Sequence, residues 1–140
     1  MTPLRPHIVL TTFDHNRLQG LLQLLRARSA VNPWSLDALE LELARAEVVA
    51  PERVPGDVIT MNSWVELRDL ATSTRFWVRL VFPGTGDTQE NGVPVLSPLG
   101  IALLGCRAGQ VLQWDTEAGS RRLSIDSVTY QPEAAGDFHV

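Results

Sequence analysis

Ser97-Pro98-Leu99-Gly100-Ile101-Ala102-Leu103-Leu104-Gly105-Cys106-Arg107-Ala108-Gly109-Gln110 reads as a short helix set between strands. Serine caps it, and proline takes the first helical position, where a missing amide costs nothing. Ile101 to Leu104 pack, and Gly105 ends the helix. On either side the apolar residues step by two instead. Val58 to Met61 forms a first strand, Trp64 to Leu67 a second, and Arg75 to Phe82 a third, with Phe76, Val78, Leu80 and Phe82 on one face. Residues 83 to 92, rich in Gly, Asp and Asn, form a loop. Val93 to Leu96 is an edge strand, because Pro94 has no amide for a ladder. Gln110 to Trp114 and Leu123 to Tyr130 are two further strands around the turn Thr116 to Ser120. This predicts an antiparallel sheet with one small helix laid on it, an α+β architecture.

The N-terminal part follows a helical period. Phe13, Asp14 as N-cap and Leu18 have the spacing of a helix start closed by a hydrophobic staple, and Leu18, Leu21, Leu22 and Leu25 make one apolar stripe over residues 15 to 28. Asn32-Pro33 marks a second start, with Ser35 as the alternative cap. From there Leu36, Leu39, Leu43, Ala46 and Ala50 step by three and four up to Pro51, the heptad-like spacing of a helix packed on a partner. Two such helices joined by a few residues make an antiparallel hairpin, a short coiled coil reaching roughly 20 to 25 Å. The period changes across Pro51 to Gly56, so residues 1–53 are assigned to the helical hairpin and 54–140 to the sheet domain. Gln131 to Val140 is polar and aperiodic, which predicts a surface tail.

A chain of 140 residues with 44% hydrophobic content can bury one modest core with an appendage. No run approaches the roughly 18 apolar residues of a membrane span, and the N-terminus lacks the regions of a signal peptide, so a soluble, cytoplasmic monomer is expected. The lone Cys106 sits among Ile101, Leu103 and Leu104, the setting of a buried structural thiol. A formal charge of -4 argues against nonspecific nucleic-acid binding, although a local basic patch is compatible with it. All 12 basic residues are arginine.

The Ser97 to Gln110 run resembles the signature of the Gre transcript-cleavage-factor family, in which a Ser-Pro-Leu start, an Ala-Leu-hydrophobic-Gly helix and a later Gly precede a strand. The resemblance spans roughly residues 54 to 140 and implies a domain with an FK506-binding-protein-like (FKBP-like) fold. Asp57 to Ser63 and Tyr130 to Asp137 look like the Rnk branch, known as regulators of nucleoside diphosphate kinase, whose short coiled coil the arm also matches. The resemblance implies a binding protein, not an enzyme. Its partner would be RNA polymerase, gripped at the rim of the secondary channel, where the chain would compete with Gre-type factors without stimulating RNA cleavage.

The candidate contact residues follow from this. Asp37 and Glu40, three apart near the hairpin tip, match the acid spacing with which cleavage-inducing relatives help hold magnesium, but acids here also suit the first turns of any helix. Trp34 at the turn either closes the hairpin's own core or is exposed for a partner. Ser97, Pro98 and Leu99 lie by resemblance near the polymerase-gripping surface, while helix capping alone accounts for Ser97 and Pro98. His7, His15 and His139 lack metal-ligand spacing, no serine sits in a Gly-x-Ser-x-Gly elbow, and Gly84-Thr85-Gly86 lacks the ending of a phosphate loop. No catalytic residue, metal or cofactor is therefore expected. Two alternatives stand: cleavage stimulation through Asp37 and Glu40, and prolyl isomerisation using Trp64, Phe76, Trp77, Phe82 and Trp114.

Overall fold

The computed structural model of the chain describes residues 7–28, 32–84, 91–116 and 119–138, with the side chains of 114–116 left out. The order is β1 (Val9–Thr11), α1 (Thr12–Arg28), α2 (Pro33–Arg45), β2 (Glu47–Val49), a 3-10 turn (Pro51–Arg53), β3 (Trp64–Asp69), β4 (Arg75–Val81), β5 (Gly92–Pro94), α3 (Pro98–Leu103), β6 (Val111–Thr116) and β7 (Gly119–Tyr130). The α+β architecture, with helices first and a sheet carrying one short helix after them, is the one read from the sequence.

Five strands form the main sheet in the order β5-β4-β3-β7-β6. Strand β3 pairs antiparallel with β4 and β7, and β6 with β7. The edge strand runs parallel to β4, so the sheet is mixed rather than wholly antiparallel. The long stretch between β4 and β5 lets the chain return to the same end before pairing, which a tight hairpin would not. Pro94 sits at that edge, as its missing amide demands, but β5 ends there; Val95 and Leu96 continue inward as buried residues. Val65, Leu67, Val78, Leu80, Leu123 and Ile125 line the core face.

The residues Val58 to Met61 are fully buried, yet they form no ladder strand. Val58 makes a single bridge to Arg107, and Ile59 exchanges backbone bonds with Gly105 and Cys106, so burial rather than pairing accounts for their apolar run. Phe82 lies beyond the end of β4, part-buried against the core. The turn residues Glu117 and Ala118 and most of the 83 to 92 loop lie outside the described residues.

Helices α1 and α2 pack on each other as the expected hairpin. At 17 and 13 residues they measure about 25 and 20 Å. Two expectations at their ends are corrected. Asp14 is not the cap of α1: the Thr11 hydroxyl accepts from the Asp14 amide at 3.0 Å, because Thr11 is the last extended residue before the helix. The second helix stops at Arg45, so Ala50 lies outside it, since Glu47–Val49 turns extended to pair parallel with β1. Those two three-residue strands escaped the sequence reading. Leu18, Leu22, Leu36, Leu39 and Leu43 from the hairpin share one hydrophobic cluster with Ile59, Leu67 and Leu103, so a single core runs through the base of the arm.

The segment after β7 is surface-placed but pinned. Gln131 is buried, its side-chain amide donating to the Pro55 and Val58 carbonyls at 2.7 and 2.8 Å. The Ala135 amide donates to the Gln131 carbonyl and the Asp137 amide to that of Pro132, closing the segment into turns. The expected surface position holds for residues 134–137, while Gln131 and Pro132 are buried.

Candidate functional site

The start of α2 supplies three of the expected contact residues. Asn32 caps it, its side-chain oxygen accepting from the Trp34 amide at 3.0 Å, with Pro33 in the first position; Ser35 is not the cap. Leu36, Leu39 and Leu43 point into the hairpin, which leaves the opposite side of the helix to water. Trp34 stands there 80% exposed, and Leu41, one heptad on, is 64% exposed. A ring this open closes no core of its own. Burying an indole of its size is worth several times a typical exposed polar contact, and here that area is left open to water.

Asp37 and Glu40 are exposed, but both are engaged. Arg26 on α1 reaches across the hairpin, one Nη2 donating to Asp37 Oδ1 and to Glu40 Oε2, each at 2.8 Å. The Asp37 hydrogen bond first, and then the two negative charges, raise the pKa of the guanidinium. Arg26 was not singled out in the sequence, although the signal was present: α1 ends at Arg28 and the antiparallel α2 begins at Pro33, so residue 26 lies beside the first turns of α2. Among the described residues no group of three or more His, Cys, Asp or Glu is placed to hold a metal ion.

At the second location, Ser97 caps α3 by accepting from the Gly100 amide at 3.0 Å, and its hydroxyl donates to the Pro94 carbonyl at 2.7 Å. Pro98 is exposed and Leu99 half-buried against the core. The helix sits tightly on β5: a Cβ on Gly100 would lie 2.1 Å from the Pro94 carbonyl oxygen. No described hydrogen bond or ion pair connects Ser97–Leu99 with the arm tip, so they form two separate surfaces. His7 bonds Glu47 and His15 the Leu43 carbonyl, while His139 is outside the described residues.

Between arm and sheet lies a polar joint that the sequence reading missed. The Asp14 carboxylate, fully buried, accepts from the Met61 amide at 3.0 Å and from Arg17 at 2.5 Å. The Arg17 guanidinium stacks over the rings of Phe13 and Phe82, 4.0 and 4.6 Å from their centres. Burial raises the Asp14 pKa against the opposing pull of these bonds. Nearby, Thr60 donates to Glu133 at 2.7 Å, and burial likewise raises the Glu133 carboxyl. This network ties the start of α1 to Met61, and Thr60 beside it to Glu133 after β7.

A family model described as Transcription elongation factor, GreA/GreB, C-term, matches residues 54–130, and one described as Rnk N-terminus matches residues 6–49. The chain is 38% identical over 96% of its length to the Regulator of nucleoside diphosphate kinase of Escherichia coli (strain K12), covering 97% of that protein. It is also 39% identical, over 66% of its length and 59% of the relative's, to the Transcription inhibitor protein Gfh1 of Thermus aquaticus. Among solved structures, the Prokaryotic transcription elongation factor GreA/GreB from Nitrosomonas europaea superposes with a TM-score of 0.73 at 39% identity, covering 89% of this chain and 99% of that one. With a GreA/GreB C-terminal domain behind an Rnk-type N-terminus, the chain belongs to the GreA/GreB transcription elongation factor family.

Proposed function

We propose that this protein binds bacterial RNA polymerase, docking Ser97, Pro98 and Leu99 on the rim of the secondary channel and pointing its short arm inward. It thereby excludes Gre-type factors without stimulating RNA cleavage. The observation that carries the second half is the state of the tip acids. A magnesium ion needs carboxylate oxygens with open lone pairs. Here one oxygen of each acid, Asp37 Oδ1 and Glu40 Oε2, is already engaged by a guanidinium that the chain itself supplies, so a metal ion would have to compete with that positive charge. An arm of about 20 to 25 Å adds the argument of reach. Trp34 supplies the arm's own contact, as an exposed aromatic anchor beside the paired acids.

On this reading the protein works in the cytoplasm, as a monomer, wherever polymerase is. The kinase regulation in the name of the Escherichia coli relative becomes a downstream consequence of transcription. The isomerase alternative needs one pocket lined by aromatic rings. Phe76 and Phe82 pack on the core while Trp77 faces water, so the aromatics do not line one cavity.

The test is RNA cleavage in backtracked elongation complexes. Wild-type protein is expected to leave the transcript at its stalled length at saturating concentration. Shortened RNA with the wild-type chain would overturn the proposal in favour of cleavage through Asp37 and Glu40. Arg26→Ala separates the two supports: cleavage by this variant alone would mean that ion pairing silences the tip, whereas continued silence would mean that reach does.

A further inference from the structure

We infer that the solvent face of the five-stranded sheet binds single-stranded RNA without sequence preference. Strand β4 alternates strictly. Val78 and Leu80 are buried and Phe76 packs on the core, whereas Arg75, Trp77 and Arg79 project from the opposite face. Residues two apart on one strand face lie roughly 6 to 7 Å from each other, so the indole of Trp77 is flanked on both sides by a guanidinium. The register with β3 sets Trp64 beside Arg79, Glu66 beside Trp77 and Arg68 beside Arg75. The neighbouring strand adds a second tryptophan and a third arginine, with Glu66 between them.

The charge of this patch runs against that of the molecule. The chain carries a net -4, yet these six positions hold three arginines and one glutamate, and counting Asp126 beside Arg68 still leaves the patch one charge positive. Arg75 is exposed and has no carboxylate partner among the described residues; Arg68 faces Asp126 only at 3.6 Å, and Arg79 bonds the Asn62 carbonyl rather than an acid. Trp77 is 46% exposed on a face that no helix covers, since α3 packs on the core side. Nothing in the packing requires an indole there.

Cations on both sides of the open Trp77 ring, with the part-buried Trp64 on the next strand, match one kind of ligand. A single strand offers phosphates to the arginines and unpaired bases to the rings, the combination by which sheet surfaces hold RNA. A duplex hides its bases, and an acidic peptide would pair the arginines but leave the rings unmatched. Glu66, in the middle of the patch, favours RNA over DNA, because its carboxylate can accept from a ribose 2′-hydroxyl. The inference does not rest on polymerase binding, because the face lies on the side of the sheet away from Ser97–Leu99.

The experiment is fluorescence anisotropy of a labelled 12-nucleotide RNA of mixed sequence titrated with the full chain at low salt, against variants of matched melting temperature. Saturable binding that falls with salt is expected. Trp77→Ala should weaken it by about 5- to 100-fold, the range for losing one stacked base. Arg75→Gln should lower the salt slope by about 0.7, the loss of one phosphate contact. Val48→Ala, an exposed change on the small two-stranded sheet, should leave it unaltered. No saturable binding, equal binding of the duplex or of the DNA strand, or insensitivity to Trp77→Ala would each overturn the inference. Full displacement of the RNA by polyglutamate together with that insensitivity would assign the face to an acidic protein instead.

Discussion

Two buried side chains make predictions through their ionisation. Cys106 is 2% exposed and its thiol faces the Ala102 carbonyl; burial pushes its pKa up to about 12. Thiol reagents at pH 8 should therefore leave native protein unmodified and label one cysteine after denaturation, read by mass spectrometry. Asp14 is the opposite kind of buried group, held by polar partners that its burial outweighs. A carboxyl whose folded pKa is raised contributes stability that is complete below its ordinary value near 4 and is lost as pH rises through the raised value. The stability of wild type relative to Asp14→Asn should thus fall with rising pH across that window, in urea titrations at several pH values. Asp14→Ala also strands the Met61 amide and unpairs Arg17, and should cost roughly 3 kcal/mol at neutral pH by the same measurement. The sequence made Cys106 legible because its neighbours are apolar. It misplaced Asp14, because an acid near a helix start has the same spelling whether it caps the helix or turns inward. Only the approach of Met61, 47 residues away, decides.

At the level of elements, the helices and long strands were readable because each repeats its period several times. Helix α3 shows how far local grammar reaches: Ser97 caps, Pro98 leads, and Gly105 follows with φ +77. What local grammar does not convey is the clearance over β5. Gly100→Ala must move either the helix or Pro94, and should destabilise by about 2 kcal/mol or more in chemical denaturation, reducing polymerase binding along with it. Arg26→Ala, by contrast, removes an exposed pair and should change stability by less than about 1 kcal/mol. Strands β1 and β2 were invisible for a physical reason: three residues contain little more than one period, and their pairing partner is supplied only by the fold. The parallel pairing of β5 was hidden likewise, since strand direction depends on the path of the connecting loop.

The whole molecule joins two surfaces through one core. The arm carries Trp34 and the Arg26-bridged acids at its tip, and the sheet domain carries Ser97–Leu99. The shared cluster around Leu18, Leu39, Ile59 and Leu103, with the Asp14 joint beside it, holds one relative to the other. The exposure of Trp34 depends on which side of α2 the hairpin buries, so the candidate residues were legible as names while their states were not. The most direct measurement is displacement: core RNA polymerase bound to a fluorescently labelled Gre-type cleavage factor is titrated with this protein. Competitive release of the labelled factor is expected, with Trp34→Ala shifting the midpoint about 10-fold or more to higher concentration at unchanged melting temperature. Polymerase that holds the labelled factor undisturbed at saturating concentrations would contradict a shared site, and with it the account of a channel competitor.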